Sequence, residues 1–173
     1  MRKMVLSILV DNTSGVLNRI ASLFTRRAYN IDSLTVGETE DPKLSRMTIA
    51  VRGDDLVLDQ IVKQINKLVD VREIVELKPS DSVIRELVLV KVKVGKEERQ
   101  QVKTITEIFR CKIVDFTSES LMIELAGAPT KIDAFLEMLK DYKIDEIVRT
   151  GMTGLLRGSA DKVVLETIDV EGR

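Results

Sequence analysis

Histidine is absent from this 173-residue sequence, and cysteine occurs once, at Cys111. The first absence removes the side chain that most often acts as a general base or a metal ligand. The presence of a single cysteine excludes a disulfide within one chain and any cysteine cluster. The flanking Arg110 and Lys112 could lower the pKa of the Cys111 thiol, although a small residue at a helix end is the simpler interpretation.

Excess charge of one sign and long apolar runs are missing as well. The 27 basic and 28 acidic residues leave a net charge of −1, which provides no basic surface for nucleic acid and no attraction to an anionic membrane. The apolar run 4–10 is far shorter than the roughly 20 residues of a membrane helix. It contains Ser7 and ends at Asp11, so we interpret it as a first strand, not a signal peptide, and expect a cytoplasmic protein.

The stretch 9–17, LVDNTSGVL, is the most informative one that is present. An apolar run ends there, four small polar residues and Gly15 follow, and an amphipathic segment begins at Val16, which predicts a strand, a tight turn and a helix start. A helix N-terminus has unpaired N–H groups and the positive end of the helix dipole, so it can hold a carboxylate. Taken alone, an ordinary turn with a polar N-cap is the simpler interpretation.

Hydrophobic periodicity predicts the order βαββαβ twice along the chain. In the first unit the predicted helices are 16–28 and one that follows the N-cap Asp54, and the predicted strands are 4–10, 29–36, 44–51 and 71–77. In the second unit the predicted helices are 97–109 and one that starts at Pro129, and the predicted strands are 87–94, 112–116, 121–125 and 144–148. The glycine-rich stretch 151–158 is predicted to be a loop, and 163–170 is either a strand or mobile.

These elements predict an α+β fold of two tandem ferredoxin-like βαββαβ units. We expect a domain over 1–78, a linker over 79–83, a second domain over 84–158 and a C-terminal tail over 159–173. Each unit of about 75 residues has a marginal core and leaves one sheet face and its edge strands uncovered. A homodimer joined through the first unit is therefore expected.

A second polar position, Asn30 with Ile31, stands at the start of the second strand. It follows the first helix, so in one chain it lies about 20 Å from the turn at Asn12. One small ligand cannot contact both places in a single chain, whereas a two-fold related copy can bring its own Asn30 to this Asn12. Asn30 is equally well interpreted as a turn residue at the strand start, and both interpretations stay open here.

Patterns for catalysis are sparse. The sequence has no phosphate loop, dinucleotide fingerprint or nucleophile elbow, and the acidic residues Glu38, Glu40 and Asp41 are interpreted as a solvated turn. We therefore expect no catalytic residue, no metal and no cofactor. A small ferredoxin-like enzyme acting on phosphates is an alternative, but it needs an arginine or a glycine-rich cradle in the first turn, and this turn is acidic and polar.

The pattern Asn12-x-x-Gly15-x-Leu17, followed by Asn30-Ile31, resembles the signature of the ACT domain, a ferredoxin-like module that binds amino acids. Ser14 stands where many ACT domains have proline, so the turn is expected to be less rigid. Further stretches resemble the regulatory (small) subunit of acetohydroxyacid synthase, also called acetolactate synthase: 29–36, 41–49, 64–71, 107–110 and 125–127. The resemblance extends from about Met1 to Gly158.

This resemblance implies a subunit without a catalytic centre, which binds and activates the thiamine-diphosphate-dependent catalytic subunit. It also implies feedback inhibition of branched-chain amino acid synthesis by valine, often with isoleucine or leucine. Effector sites are implied between the ACT domains of two protomers, with residues from one chain and from the other: Asn12, Gly15, Val16 and Leu17; Asn30 and Ile31. An ACT-type regulator of another enzyme or of a promoter is the alternative, and the near-neutral charge disfavours DNA.

The chemistry of these residue types suits a zwitterionic ligand. The N–H groups of Gly15 and Val16 can bind a carboxylate, and the amide oxygen of either asparagine can accept from an ammonium group. Leu17 and Ile31 provide an apolar wall for a branched side chain. We therefore predict an amino-acid effector site that two copies of the chain form together.

Overall fold

The computed structural model describes residues 1–165 and divides the chain into two compact units. Unit 1 comprises Met1–Ile84 together with the segment from Met152 onward, and unit 2 comprises Arg85–Gly151. Each unit contains an antiparallel sheet and two helices, which confirms the predicted α+β class. Residues 166–173, which include part of the predicted tail 159–173 and of the segment 163–170, lie outside the described residues.

Unit 1 follows the predicted order of strands and helices. Its elements are β1 (Arg2–Asp11), α1 (Val16–Arg26), β2 (Ile31–Glu38), β3 (Leu44–Gly53), α2 (Asp55–Asn66) and β4 (Val71–Glu76). The strands form a sheet in the order β2-β3-β1-β4. Ile20 of α1 and Ile61 of α2 are buried in one cluster with Leu6, Ile49 and Ile74 of the strands, so both helices cover the same face of the sheet.

The two helices of unit 1 begin in different ways. Asp54 caps α2, because its side chain accepts a hydrogen bond from the N–H of Val57 at 2.9 Å; this confirms the predicted N-cap. No side chain caps α1, whose N-cap is Gly15 with φ 88° and ψ −8°. This left-handed conformation strains any residue with a Cβ. Glycine at position 15 is therefore required by the backbone of the turn, and the polar side chains of the turn do not cap the helix.

Unit 2 repeats the arrangement with its own core. Its elements are β5 (Ser82–Lys93), α3 (Lys96–Phe109), β6 (Lys112–Phe116), β7 (Ser120–Gly127), α4 (Pro129–Met138) and β8 (Lys143–Arg149), and the sheet order is β6-β7-β5-β8. The first three residues of β5 belong to unit 1. Phe135 of α4 is fully buried, and its ring centroid lies 5.5 Å from that of Phe109. Val90 and Ile123, on adjacent strands, complete the centre of this core.

The C-terminal part of the chain differs from the expected loop over 151–158. Thr153–Leu156 forms a short strand, β9, which pairs with β5. A Cβ at Gly154 would lie 2.8 Å from the carbonyl oxygen of Val83, so the absence of a side chain allows the two backbones to approach closely. The glycine that suggested a loop is thus part of a strand pairing.

The same segment groups with unit 1 in the structure, whereas the sequence predicts it within a second domain over 84–158. Met152 is buried in a cluster with Val5 and Ala50. Val5 and Ala50 alternate along their strands with the residues that face the helices, so this cluster lies on the opposite face of the sheet, which we call the outer face. In addition, β5 begins at Ser82, inside the expected linker 79–83.

The two edge strands of the unit 1 sheet differ in their backbone pairing. Val164 forms an antiparallel bridge with Val75, and the N–H of Leu165 donates to the carbonyl of Ile74 at 2.9 Å. This pairing occupies the edge of β4 that β1 leaves free. At the other end, β2 pairs with β3 alone within residues 1–165, so one edge of β2 is open.

Replacing Phe135 by alanine is expected to destabilise unit 2 by about 3–5 kcal/mol, because the substitution opens a cavity in a closely packed core. The matched control is Phe116→Ala, since the Phe116 side chain is 60% exposed and lies under the Arg99 guanidinium, 4.7 Å from the ring centroid. Urea unfolding followed by circular dichroism measures both losses. Equal losses for the two variants would contradict the assignment of Phe135 to the core.

Gly15→Ala is expected to reduce the free energy of unfolding by about 1–2 kcal/mol, because alanine is strained at this left-handed φ. The new Cβ would also lie 3.0 Å from the Arg19 NH1 atom. Gly158→Ala is the control, as a Cβ there meets no atom within 4 Å and its φ lies outside the left-handed region. Thermal unfolding of the two variants beside the parent chain measures the difference, and an unchanged Gly15→Ala protein would refute the strain.

Candidate functional site at the turn before α1

Asn12 is exposed at the end of β1 and is held in place by the loop that joins β2 to β3. Its backbone N–H donates to the carbonyl of Lys43 at 2.7 Å. Its side-chain amide nitrogen donates to the carbonyl of Pro42 at 2.9 Å and to Glu38 Oε2 at 3.3 Å. Both partners are acceptors, so the nitrogen must face them and the amide oxygen is the atom left to accept from a ligand.

The backbone beyond Asn12 supplies donors. The hydrogen-bond ladder of α1 starts with the N–H of Arg19, which donates to the carbonyl of Gly15 at 3.0 Å. The N–H groups that precede it belong to the positive end of the helix dipole, and that of Val16 makes only a long contact, 3.5 Å, to the carbonyl of Thr13. The Val16 side chain is buried, whereas Leu17 is 43% exposed. The turn thus combines N–H donors with an accessible apolar side chain.

A pair of arginine–aspartate contacts flanks this turn. Nε and NH2 of Arg19 lie 2.6 and 3.0 Å from the two carboxylate oxygens of Asp70, and this hydrogen bonding raises the pKa of Arg19. Arg72 contacts both oxygens of Asp11 at 2.7 Å and lowers the pKa of the Asp11 carboxyl below its ordinary value. The remaining Arg19 nitrogen, NH1, lies beside Gly15, so a guanidinium group stands next to the backbone donors.

Sequence reasoning did not include these two ion pairs. Arg19 follows Gly15 by four residues in a helix, which places both on the same side of α1, and this spacing was the available signal. Asp11 and Arg72 are 61 residues apart in the chain, and only the pairing of β1 with β4 brings them together. No local pattern in the sequence indicates that contact.

The predicted site residues fall into two separate groups in one chain. Asn12, Gly15, Val16 and Leu17 surround the start of α1, whereas Asn30 and Ile31 follow its end. The 11 residues of α1 span about 16 Å. Asn30 is exposed and Ile31 packs partly against the core of unit 1. The fold of a single chain therefore keeps the two groups apart.

Cys111 belongs to unit 2, whereas the turn belongs to unit 1. Burial raises the pKa of its thiol to about 11, and the nearby Lys131 opposes this only in part. The flanking cations therefore do not lower this pKa, because the cost of desolvating the thiolate is the larger effect, which agrees with the simpler interpretation of Cys111 as a small residue at a helix end. Within residues 1–165, no three side chains of the types His, Cys, Asp and Glu form a group that could hold a metal ion.

None of the helices in the described part of the chain has the length and apolar character needed to cross a bilayer.

The candidate site at the turn before α1 combines a left-handed glycine, backbone N–H groups, an oriented asparagine amide and an exposed leucine. They can bind a small ligand that has a carboxylate, an ammonium group and an apolar side chain.

Comparison with known proteins identifies the family of this chain. A family profile described as "AHAS small subunit-like ACT domain" matches residues 6–73, and one described as "Small subunit of acetolactate synthase" matches residues 85–158. A probable acetolactate synthase small subunit of Methanothermobacter thermautotrophicus is 51% identical over 156 residues, which cover 90% of this chain and 93% of that one. The acetolactate synthase isozyme 3 small subunit of Escherichia coli is 49% identical over 161 residues, 92% and 98% of the two chains.

The fold agrees with a solved structure of the same kind. The crystal structure of the acetolactate synthase small subunit from Thermotoga maritima superposes with a TM-score of 0.85 at 42% identity, and the match covers 92% of this chain and 100% of that one. These similarities extend over both units and confirm the family that the motifs resemble. The chain therefore belongs to the family of acetolactate synthase small subunits, and it carries that family's ACT domain over residues 6–73.

Proposed function

We propose that this regulatory small subunit of acetolactate synthase binds valine at its ACT domain and so places a thiamine-diphosphate-dependent catalytic subunit under feedback control. Isoleucine and leucine are further effectors of the same chemical class. The observation that carries the proposal is the orientation of the Asn12 amide, whose oxygen is available beside the N-terminus of α1. Without effector, the chain raises the activity of its partner in the cytoplasm.

The two charged groups of the effector have separate partners in this proposal. Its carboxylate binds the N–H groups of Gly15 and Val16, and NH1 of Arg19 stands beside the same turn. Its ammonium group donates to the oxygen of the Asn12 amide. Its branched side chain covers Leu17, which is exposed in the single chain. Each hydrogen bond to a charged ligand group contributes roughly 1.5–3 kcal/mol, which is enough to select a zwitterion.

A second copy of the chain completes the site. The open edge of β2 can pair with the same edge of a copy, and in an antiparallel pair the first residues of one strand lie beside the last residues of the other. Glu38 is the last residue of β2 and contacts the Asn12 amide. A two-fold pairing of β2 therefore brings the partner subunit's Asn30 and the partner subunit's Ile31 toward Asn12.

In this proposal the two domains have different roles. The domain over 1–78 binds the effector and forms the homodimer, and the domain over 84–158 docks on the catalytic subunit or couples to it. A ligand that bridges two protomers favours one arrangement of the dimer by the difference of its affinities for the two arrangements. Control of the catalytic subunit then follows from the arrangement that the effector stabilises.

Asn12→Ala is expected to raise the valine concentration for half-inhibition by roughly 10- to 150-fold, because one hydrogen bond to a charged group is lost. Activation of the catalytic subunit is expected to persist. The measurement is synthase activity of the reconstituted complex during a valine titration. Asn18→Ala, which changes an exposed asparagine of α1, is the control and should leave inhibition unchanged. Full valine sensitivity of Asn12→Ala would refute the site.

Val36→Lys is expected to weaken the homodimer by at least roughly 10-fold and to abolish valine inhibition with it. Val36 lies on β2 and is 49% exposed in one chain, and the change would put two lysines close to the two-fold axis, where like charges repel. Val69→Lys is the control, because Val69 is 86% exposed in the turn before β4. Sedimentation equilibrium at micromolar concentration measures both variants. A stable monomer of the parent chain would contradict the dimer itself.

A further inference from the structure

A separate cavity lies on the outer face of the unit 1 sheet. It has a volume of about 220 Å³, and its walls come from the strands β1, β3 and β4 and from the C-terminal segment around Leu155, Leu156 and Lys162. All of these residues belong to unit 1. This cavity is separate from the proposed turn site, because Asn12 and Gly15 do not line it. We call it the outer-face cavity.

Three charged side chains converge on the outer-face cavity. Arg46 and Glu73 lie opposite Leu9 on the two strands that flank β1. NH1 of Arg46 donates to Ser7 Oγ at 2.9 Å, and Lys162 Nζ lies 2.6 Å from Glu73 Oε2. The cavity is partly enclosed and apolar, and charged side chains in such a place are costly unless they are well paired. Ordinary ion pairs on the protein surface do not converge in this way.

The Glu73 carboxylate is only partly satisfied. Its Oε1 atom is buried and has no hydrogen-bond partner among the described residues, and NH1 of Arg46 is 4.0 Å away from it. This distance is too long for a hydrogen bond. A buried carboxylate oxygen without a donor is unusual in native proteins. The carboxylate therefore has unused capacity to accept a hydrogen bond from a cationic ligand group.

The remaining walls of the cavity are aliphatic. Val75 and Leu77 come from the sheet side, and Leu155 and Leu156 come from the C-terminal segment, with Leu155 60% exposed at the rim. The volume is below the roughly 300–1,000 Å³ of pockets that bind drug-sized molecules. A ligand with eight or nine non-hydrogen atoms, such as a small amino acid, is of suitable size.

We propose that the outer-face cavity is a second effector site, which binds a free L-amino acid with an aliphatic side chain. Arg46 and Lys162 bind its carboxylate, Glu73 accepts from its ammonium group, and the aliphatic walls surround its side chain. This site lies within one copy of unit 1, so it does not require the dimer on which the turn site depends. The inference goes beyond the proposed function and does not depend on it.

The test is isothermal titration calorimetry of L-leucine into the full chain carrying Asn12→Ala, which weakens binding at the proposed turn site by roughly 10- to 150-fold. One binding event per chain is expected. Adding Glu73→Gln or Lys162→Met is expected to weaken leucine binding by roughly 10- to 150-fold, the effect of one charge-assisted hydrogen bond. Lys63→Met is the matched control, because it also removes a solvent-exposed lysine paired with a carboxylate, that of Asp59.

A second titration uses 4-methyl-2-oxopentanoate, which has the carboxylate and the side chain of leucine but no ammonium group. It is expected to bind at least roughly 10-fold more weakly, because Glu73 then receives no donor. If the Asn12→Ala chain does not bind millimolar leucine, or if Glu73→Gln and Lys162→Met both bind leucine as well as Lys63→Met does, the cavity proposal is overturned while the turn site is unaffected. Conversely, full valine sensitivity of Asn12→Ala would overturn the turn site, and Glu73-dependent binding of leucine would still support the cavity.

Discussion

The pairing of β1 with β3 fixes the positions on which both proposed sites depend. It is continuous over ten residue pairs, from Arg2 opposite Gly53 to Asp11 opposite Leu44. Because side chains alternate along a strand, a slip of one residue would exchange every residue of the helix face with one of the outer face. The buried row that includes Leu6 would then face the C-terminal segment, so the register is strongly determined.

The same register determines the geometry of the turn at Asn12 and Gly15. The turn follows β1 directly, and the loop from β2 to β3 lies beside it because Asp11 is paired with Leu44. That proximity gives Asn12 its acceptors, Pro42 and Glu38, which orient the amide. The ligand chemistry of one asparagine is thus set by strand pairing and not by a packed side-chain environment.

Most of the fold could be predicted from the sequence, because local patterns and the hydrophobic period decide it. The stripe of α2 and the N-cap Asp54 are examples, and so is the turn at Gly15. Local patterns could not indicate contacts between residues that are far apart in the sequence. The β9 strand was missed because Gly154 suggests a loop until the neighbouring backbone is known, and the Asp11–Arg72 pair depends on the pairing of β4 with β1.

The residues of the turn in the candidate site could be predicted from local patterns for the same reason. The residues of the turn are contiguous, so their chemistry can be inferred from their order. Asn30 is close in sequence yet separated from the turn by the length of α1, so its proposed role depends on a second copy, which is inferred from this separation and from the resemblance to the ACT domain. Arg46, Glu73 and Lys162 come from three distant segments, and their convergence required the fold.

Unit 1 is built from two stretches of chain that are not contiguous, and this has a consequence for its synthesis. Residues 1–84 leave the ribosome before unit 2, which is about 70 residues long. Met152, which packs against Val5 and Ala50, is made only after unit 2. At 5–20 residues per second this delay is roughly 3–14 seconds. During that time the outer face and the edge of β4 are open to other nascent chains. The segment from Met152 onward, which is made later, therefore protects a sheet that is made earlier. A fragment that ends before Met152 lacks this protection and differs from the complete unit 1.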